Sequence, residues 1–475
     1  MSIKIPDKIL KLARAVRERG GRALMVGGCV RDRLLNWPAK DWDVEVYGLA
    51  PAALREVLDS FGQVNVVGEA FTVYKIGHDL DVSLPRRERK QGRGHRAFVI
   101  EGDPAMSFEE AARRRDFTIN AILEDPLTGE IIDPFDGRRD LENRLLRAVS
   151  RETFVEDSLR VLRAAQFAAR FEFNVEPDTV ELCRSIDLTD LPPERIWGEM
   201  EKLLLRALCP SVGLQWLENL GVTAQLFPEI AAMIGVPQES EWHPEGDCDV
   251  HTYLVCDRAR ELIDDLDYPR QVTVMLAALC HDFGKPATTE FIDGRIRSRG
   301  HEEAGVTPTE SFLDRLKIHT LDNYDVRAQV VALVRDHLKP GELYRKRAEV
   351  GDGAFRRLAQ KCELDLLYRV ARADSLGRNA DWVPREKWFD AEAEEWFIRR
   401  ARELMVEQRP PEKILMGRHL LEMGVKPSPF VGHVVNAVYE MQLDGRVRTL
   451  EDAKEAARKM MKSENTGDRS QGSEE

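Results

Sequence analysis

The sequence predicts an α+β head, built from a mixed β-sheet with helices, followed by a series of helical domains. Short apolar runs of strand length, separated by Gly and Pro, characterise the first 150 residues, whereas patterns with helical spacing dominate from residue 154 onward. The 475-residue chain is also too long for one ordinary core, because domains usually have about 100–200 residues.

Composition indicates a soluble globular protein, with 43% hydrophobic and 32% charged residues. No apolar run approaches the roughly 20 residues that a membrane span needs, so we expect no membrane partner. The first 20 residues alternate apolar and basic positions and lack a signal-peptide core. The seven cysteines show no CxxC spacing, which favours reduced thiols and a cytoplasmic location. A net charge of −13 argues against a surface covered in nucleic-acid-binding residues, although local basic patches remain.

The chain is organised around the stretch from residue 23 to residue 47. An apolar run of strand character stops at Gly27 and Gly28, where the backbone can turn sharply and approach a ligand. Arg31 and Asp32 follow in the first turns of a predicted helix, whose N-terminus is a natural phosphate site.

A second predicted strand carries Asp41 and Asp43, whose side chains point to the same face because they are two residues apart. Two carboxylates facing a glycine turn suit Mg²⁺ bound with a nucleoside triphosphate. A surface turn with solvated acids is the alternative, but the order Gly-Gly, Arg-Asp, Asp-x-Asp favours nucleotidyl transfer. Asp81, on a later strand, is the candidate third carboxylate, and Asp79 is equally available by sequence.

Two basic segments follow in the head. Residues 85–98 are dense in Arg, Lys and Gly, which predicts a flexible loop able to close over a substrate. Three arginines then precede Asp116, either as a charged helix end or as contacts to phosphate and ribose. We favour contacts, with Arg115, Asp116 and Asn120 nearest the substrate.

Residues 154–171 have a strong helical pattern. Asp157 and Arg160 are one turn apart, and Arg163 follows on the face of Arg160. Surface salt bridges of roughly 0.2–0.5 kcal/mol each are one interpretation. The other is base selection, in which the carboxylate accepts from an exocyclic amino group and the guanidinium donates to a ring acceptor. Such a pair admits cytosine and adenine but leaves uracil and guanine with unpaired polar groups.

The chain resembles the bacterial tRNA nucleotidyltransferases that build the 3′-terminal CCA, and the related poly(A) polymerases. The resemblance is strongest over residues 20–230 and is carried, in order, by MVGGCVRD, DWD, RRRDFTINAI, DPFDGRRDLENRLLR and EDSLRVLRAAQFAARF. It implies a polymerase-β-like head, a helical neck and body that hold the tRNA acceptor arm, and Mg²⁺ at Asp41 and Asp43. The implied nucleotide contacts come from Gly28, Arg31, Arg115 and Arg163, with Asp157 and Arg160 as the base-selecting pair. Gln166 departs from the family, because many relatives carry an arginine there.

Residues 236–400 carry a second group of candidate ligands. A His-Asp pair ending an apolar run, with further histidines on either side, is a metal-site pattern. It resembles the all-helical HD phosphohydrolase domain. The residue order of that domain maps to His251, His281, Asp282 and Asp374, with His301 and His337 as candidate ligands of a second metal. A degenerate HD domain with a purely structural role is the alternative.

The predicted domains are a nucleotidyltransferase head (1–150), a neck and body (151–235), an HD domain (236–400), a helical tail (401–461) and a disordered tail (462–475). We expect template-independent transfer of CMP and AMP from CTP and ATP to the 3′ end of tRNA. We expect Mg²⁺ in the head, and Mn²⁺, Ni²⁺, Co²⁺ or Mg²⁺ in a hydrolytic HD domain. The rival interpretations are A-only or poly(A) addition, a phosphohydrolase with an RNA-docking head, and a non-enzymatic RNA-binding protein.

Overall fold

The structure is a computed structural model that describes residues 3–38, 41–61, 64–67, 73–90 and 98–467. The chain divides into two compact units, Met1–Ala231 and Ala232–Glu475. Among the described residues, no helix combines the length and the apolar character of a membrane span.

Unit 1 begins with the predicted mixed sheet and its helices. The elements of the head are α1 (Asp7–Glu18), β1 (Arg22–Val26), α2 (Gly28–Leu34), β2 (Trp42–Tyr47), α3 (Pro51–Asp59), β3 (Val64–Val67), β4 (Val73–Ile76), β5 (Leu80–Ser83), β6 (Arg86–Lys90), β7 (Phe98–Gly102), α4 (Phe108–Arg113), a 3₁₀ turn (Thr118–Asn120), β8 (Leu123–Glu124), β9 (Ile131–Ile132), α5 (Gly137–Glu142) and β10 (Leu145–Leu146).

Seven strands form one sheet in the order β3-β4-β5-β2-β1-β8-β9. Strands β2 and β5 run parallel and the other neighbours run antiparallel, so the sheet is mixed, as predicted. The apolar run of β1 lies inside the sheet, between β2 and β8, and its buried residues Leu24 and Val26 pack with Ala111 and Ala112 of α4. The antiparallel register of β1 and β2, which pairs Met25 with Val44, places the glycine turn after β1 next to the start of β2.

The segment predicted as a flexible basic loop is in part a hairpin. Strands β6 and β7 pair antiparallel, with Arg86 opposite Gly102 and Lys90 opposite Phe98. Residues 91–97, at the centre of the predicted loop, lie outside the described residues.

Helices follow the head in unit 1, as the periodicity predicted. They are α6 (Arg151–Phe154), α7 (Leu159–Phe171), α8 (Pro177–Arg184), α9 (Pro193–Arg206), α10 (Pro210–Asn219), α11 (Val222–Leu226) and α12 (Pro228–Met233), with β11 (Asn174–Val175) paired to β10. Helix α7 packs against α9 and α10, and the division between the two units falls within α12.

One helix boundary differs from the prediction. The pattern predicted a single helix over residues 154–171, but α6 ends at Phe154 and α7 begins at Leu159. Asp157 therefore lies in the connection, before Ser158 at the N-cap of α7. Its carboxylate accepts from the backbone N–H of Leu159 at 3.2 Å, so Asp157 helps to start the helix without belonging to it.

Unit 2 is helical, with two short hairpins that the sequence did not predict. Its elements are α13 (Cys248–Arg260), α14 (Tyr268–Cys280), α15 (Lys285–Thr288), β12 (Thr289–Ile292), β13 (Arg295–Ser298), α16 (His301–Ala304), α17 (Val306–Arg315), β14 (Thr320–Leu321), β15 (Tyr324–Asp325), α18 (Val326–Asp336), α19 (Lys339–Arg345), α20 (Asp352–Leu358), α21 (Leu364–Gly377), a 3₁₀ turn (Arg385–Lys387), α22 (Glu392–Glu403), α23 (Gly417–Glu422), α24 (Pro429–Leu443) and α25 (Leu450–Gly467).

The core of unit 2 is built from α13, α14, α18 and α21, which pack against one another. Helices α23, α24 and α25 share a separate apolar cluster that includes Leu420, Val434 and Ala453. Helix α25 continues to Gly467, beyond residue 461, where we expected the helical tail to end. Residues 468–475, the rest of the predicted disordered tail, lie outside the described residues.

Candidate functional site

Three carboxylates of the head lie on neighbouring strands. Asp41 precedes β2 and Asp43 lies within it, so the two side chains share one face. The parallel register pairs Asp43 with Asp81 of β5. Asp41 and Asp43 are exposed and Asp81 is half-buried. Asp79, which the sequence left as an alternative to Asp81, forms an ion pair with Lys8.

The surroundings of Asp43 affect its ionisation. Although Asp43 is solvent-exposed, desolvation by the surrounding protein raises the pKa of its carboxyl above the ordinary value, and the carboxylates of Asp81 and Asp41 act in the same direction. The guanidinium of Arg115 acts in the opposite direction. A divalent cation would relieve this repulsion, and carboxylate oxygens are ligands that Mg²⁺ prefers. The donor set therefore fits a magnesium site.

Arg115 lies against the glycine turn that follows β1. Gly27 has a φ of 73°, in the left-handed region that favours glycine. A Cβ added to Gly27 would lie only 2.8 Å from Nη1 of Arg115. The turn thus needs a residue without a side chain for two reasons, its backbone conformation and the approach of this guanidinium.

A hydrogen-bonded network links four of the predicted nucleotide-binding residues. Nη1 of Arg31 donates to Asn120 Oδ1 at 2.7 Å, and Asn120 Nδ2 donates to Asp116 Oδ1 at 2.9 Å. Nε and Nη2 of Arg163 lie 2.8 Å and 2.6 Å from Asp116 Oδ2. Burial opposes ionisation of Asp116, but Arg163 and the hydrogen bond from Asn120 outweigh it and lower its pKa to about 2. The network therefore links α2, the 3₁₀ turn and α7 through side-chain hydrogen bonds.

Asp157 and Arg160, the predicted base-selecting pair, have separate partners. Asp157 Oδ2 accepts from Arg195 Nη2 at 3.0 Å. Arg160 donates through Nη1 to the carbonyl of Thr153 and through Nη2 to the carbonyl of Arg114, both at 2.6 Å. The structure therefore fixes each side chain from the flanking elements without a hydrogen bond between the two.

Gln166 lies on the packed side of α7. It is 2% exposed, so an arginine at this position would need space that the surrounding helices occupy. Arg170, one turn further along α7, is half-buried and has Nη2 3.7 Å from Asp32 Oδ2, which places a guanidinium near Arg31 and its network.

In unit 2, the six predicted HD ligands come together in two groups. His251, His281 and Asp374 form one group, and Asp282, His301 and His337 form the other, with potential ligand atoms within 4.8 Å of one another in each. The two groups meet at the His281-Asp282 pair, because His281 Nε2 lies 3.2 Å from Asp282 Oδ2. The ends of α14 and α18, the start of α16, and positions within α13 and α21 supply these side chains.

Hydrogen bonds fix the orientation of the histidine rings. Nδ1 of His281, His301 and His337 donates to the backbone carbonyls of Ala278, Ser298 and Val334, at 2.7, 2.8 and 2.6 Å respectively. A carbonyl oxygen can only accept, so each Nδ1 carries a proton, and Nε2 is the ring atom that each of these histidines can offer to a metal. This is the arrangement in which metal-binding histidines are held.

Several polar atoms of the cluster have no hydrogen bond within the described chain. They are His281 Nε2 and both carboxylate oxygens of Asp282, all buried. Lys285 Nζ lies 2.6 Å from Asp282 Oδ2 as an ion pair. Burial opposes ionisation of Asp282, yet the charges of His281 and Lys285 hold its pKa well below its usual range. A buried, ionised carboxylate beside histidine Nε2 atoms fits a divalent metal.

Burial, reinforced by neighbouring His301 and His281, lowers the pKa of His337 to about 3. His337 is therefore neutral at physiological pH, as a ligand must be. The cluster opens into a pocket of about 210 Å³, whose lining includes Trp242, Lys285 and Arg378. Metal ligands at the base of a pocket with cationic side chains suit the binding of a phosphate ester.

Comparison with known proteins gives three family matches. The Poly A polymerase head domain matches residues 23–147, the "Probable RNA and SrmB- binding site of polymerase A" matches residues 172–234, and the HD domain matches residues 249–379. A multifunctional CCA protein of Stenotrophomonas maltophilia is 40% identical over 373 residues, which cover 74% of this chain and 86% of the relative. The chain belongs to the multifunctional CCA protein family.

Another member of this family, from Xanthomonas campestris pv. campestris, is 38% identical over 371 residues, covering 74% of this chain and 85% of its own length. Among solved structures, the Bacillus stearothermophilus CCA-adding enzyme in complex with CTP matches with a TM-score of 0.63 at 21% identity, covering 98% of this chain and 100% of that one. A Thermotoga maritima CCA-adding enzyme complexed with tRNA matches with a TM-score of 0.59 at 20% identity, covering 96% and 97%. The resemblance to CCA-adding enzymes and the predicted fold class are confirmed.

The sequence analysis did not predict two acidic residues that lie near these sites. Glu45 lies two residues after Asp43 on β2, and this period-2 spacing was the available signal. Glu245 is buried beside the HD cluster, where its Oε1 lies 2.6 Å from His251 Nδ1 and 2.9 Å from His243 Nδ1. No sequence spacing indicates Glu245, because it lies in the loop before α13.

Proposed function

We propose that this protein adds C, C and A to the 3′ end of tRNA from CTP and ATP, without a nucleic-acid template. Family membership supports the proposal, as do the structural relatives that are described with CTP, ATP or tRNA. The structural observation that carries it is the parallel register of β2 and β5, which sets Asp43 beside Asp81 and within the electrostatic influence of Arg115. This arrangement offers carboxylates for a metal ion and a cation for a triphosphate.

Asp41 and Asp43 would hold Mg²⁺, with Asp81 as a third carboxylate beside them. Bound Mg²⁺ would lower the pKa of the RNA 3′-hydroxyl and neutralise charge on the departing pyrophosphate. Nucleotidyl transfer, like phosphoryl transfer, mainly requires the protein to position the reactants and to stabilise charge. Arg115 and Arg163 would supply that charge to the triphosphate.

The supporting residues hold these arginines in place. Gly27 and Gly28 would let the triphosphate approach the backbone beside Arg115. Asp116 fixes Arg163 through two contacts, and Asn120 joins this pair to Arg31. Preorganised charges of this kind avoid the cost of reorienting dipoles during the reaction.

Asp157 and Arg160 would select the base. A carboxylate accepts from the amino group that cytosine and adenine share, and a guanidinium donates to the adjacent ring nitrogen. Arg195 anchors Asp157, and two backbone carbonyls anchor Arg160, so both groups have fixed directions before a nucleotide binds. Uracil and guanine would not offer matching partners to this carboxylate and guanidinium, so polar groups would stay unpaired at the contact.

Addition is tested by incubating the purified protein with tRNA that lacks its 3′ CCA and with labelled CTP and ATP. Sequencing of the extended 3′ ends should give CCA, with UTP and GTP rejected. Absence of incorporation by folded protein in the presence of Mg²⁺ would refute the proposal. A cytoplasmic location fits a tRNA substrate and seven cysteines that form no disulfide among the described residues.

We further propose that the HD cluster is a second, metal-dependent phosphohydrolase site. His251, His281 and Asp374 would bind one metal, and His301 and His337 a second, with Asp282 between them. Mn²⁺, Ni²⁺, Co²⁺ and Mg²⁺ are the candidate metals. Bound metal would polarise the phosphate and generate a hydroxide nucleophile.

The hydrolytic proposal is tested with phosphomonoesters and cyclic nucleotides, each with the four metals in turn. Metal-dependent release of phosphate, or opening of the cyclic phosphate, supports it. No hydrolysis with any of the four metals would make the HD domain structural. We propose that nucleotide addition belongs to the head (1–150) with the neck and body (151–235), and hydrolysis to the HD domain (236–400), which the helical tail (401–461) follows.

A further inference from the structure

Strand β2 carries one more acidic residue, Glu45, on the face that presents Asp41 and Asp43. Glu45 continues the period-2 series, but its environment differs. Asp41 and Asp43 are exposed, whereas the side chain of Glu45 is only 3% exposed. A buried carboxylate is costly unless it is paired, so its partners indicate its role.

Both carboxylate oxygens of Glu45 are engaged. Oε1 accepts from Nη2 of Arg114 at 2.9 Å and from Nη2 of Arg115 at 3.0 Å. Oε2 accepts from the hydroxyl of Tyr47 at 2.9 Å. The two guanidinium groups and the hydroxyl donor compensate the cost of burying a carboxylate charge. Glu45 is therefore a fixed anion behind the exposed carboxylates.

The two arginines connect Glu45 to different parts of the nucleotide site. Nη1 of Arg115 lies against the Gly27 turn, so the guanidinium extends from Glu45 to the glycine backbone. The carbonyl of Arg114 accepts from Nη2 of Arg160 at 2.6 Å. One buried carboxylate thus holds both the cation at the glycine turn and the residue that supports Arg160.

We propose that Glu45 is a positioning residue that keeps Arg115 at the glycine turn and away from the metal-binding carboxylates Asp41 and Asp43. Without the charge of Glu45, Arg115 would pair with Asp43, the next carboxylate along the same face of β2. An arginine on Asp43 competes directly with a divalent cation. The inference rests on the proposed metal site of the head, but its test does not require nucleotide addition.

The test compares Glu45→Gln with Tyr47→Phe in the full-length protein. The glutamine keeps the shape and removes the charge, whereas the phenylalanine removes one hydrogen bond and keeps the charge. Binding of Mn²⁺ to the head is measured by electron paramagnetic resonance without nucleotide, in a His281→Ala background that weakens the HD cluster. We expect Glu45→Gln to weaken Mn²⁺ binding at least tenfold and Tyr47→Phe to change it less than twofold.

A double-mutant cycle separates positioning from a simple loss of negative charge near the metal. In an Arg115→Gln background the guanidinium of residue 115 can no longer move onto Asp43, so Glu45→Gln should then weaken Mn²⁺ binding less than threefold. Compared with Glu45→Gln alone, the double variant also lacks the Arg115 guanidinium that has lost its anionic partner, which favours folding. An equal loss in both backgrounds would overturn the proposal, as would unchanged Mn²⁺ binding in folded Glu45→Gln.

Nucleotide addition gives an independent readout. Glu45→Gln should raise the half-saturating Mg²⁺ concentration at least tenfold at saturating CTP, and excess Mg²⁺ should restore most of kcat. A fall in kcat that Mg²⁺ does not restore, with unchanged half-saturation, would contradict the proposal. If the wild-type protein adds no nucleotide, the proposed function fails, while the Mn²⁺ measurement still decides the role of Glu45.

Discussion

Asp282 is the residue on which the HD metal site depends most. Its Oδ2 lies 3.2 Å from His281 Nε2, and its Oδ1 lies 3.5 Å from His301 Nε2, so it joins the two groups of ligands. Asp282→Asn keeps the size of the side chain and removes the charge. We predict that this variant loses the metal-dependent stabilisation of unit 2.

The expected size of the effect follows from linkage. A metal that binds only the folded state, at a free concentration of 100 times Kd, stabilises it by about 2.7 kcal/mol. Unit 2 spans Ala232–Glu475, a size for which 1 kcal/mol shifts the melting temperature by roughly 2–4 °C. Saturating metal should therefore raise the midpoint of wild-type unit 2 by about 5–10 °C. The shift in Asp282→Asn should be less than about 2 °C, because both groups lose an anionic ligand.

The assay is differential scanning calorimetry of the full-length protein, after chelation and then with Mn²⁺ or Ni²⁺. Glu363→Gln is a matched control, because Glu363 is a buried carboxylate of the same unit whose partner is Arg270, at 2.8 and 3.0 Å. This control should be less stable but should keep the wild-type metal shift. A full metal shift in Asp282→Asn would refute the assignment of Asp282 as a metal ligand.

Four further predictions concern the two sites. Asp43→Ala should lower nucleotide addition by orders of magnitude while circular dichroism stays native, and full activity would exclude a metal at this carboxylate. Asp116→Asn should raise KM for CTP and ATP about tenfold because Arg163 loses its charged partner. With a pKa of about 2, Asp116 is ionised throughout pH 5–8, so the ratio of the variant KM to the wild-type KM should stay constant over that range. A ratio that falls towards pH 5 would contradict the ion pair. Asp157→Ala should lose discrimination against UTP and GTP more than triphosphate affinity, and unchanged base selection would count against this role. His281→Ala should abolish metal-dependent hydrolysis while nucleotide addition continues; loss of both activities in a folded variant would contradict two separate sites.

The sequence predicted what depends on local periodicity. The glycine turn and the shared face of Asp41 and Asp43 follow from residue types and period-2 spacing alone. The choice between Asp79 and Asp81 needed the register of β2 with β5, which is a tertiary property. Glu45 has the right spacing, but its burial and its arginine partners come from α4 and the segment after it, which no local pattern reveals.

The helical predictions show the same limit. Periodicity predicted one helix that runs through Asp157 and places it on the same helix as Arg160. In the structure α7 begins only after Ser158, so Asp157 lies outside the helix and pairs with Arg195, 38 residues away. The HD ligands were predictable because the His-Asp pair and the flanking histidines are themselves the pattern. The backbone carbonyls that orient three of these rings, and the Glu245 carboxylate beside His251, belong to the folded chain only.

CCA addition is tested most directly with two tRNA substrates, one ending at the discriminator base and one ending in CC. Each is incubated with CTP, with ATP and with both, and the 3′ ends are sequenced. We predict that CTP alone extends the first substrate by two residues, that ATP alone extends only the second, and that both nucleotides together give CCA on the first. Extension of only the CC-ending tRNA, and only by ATP, would contradict this account and identify an A-adding enzyme.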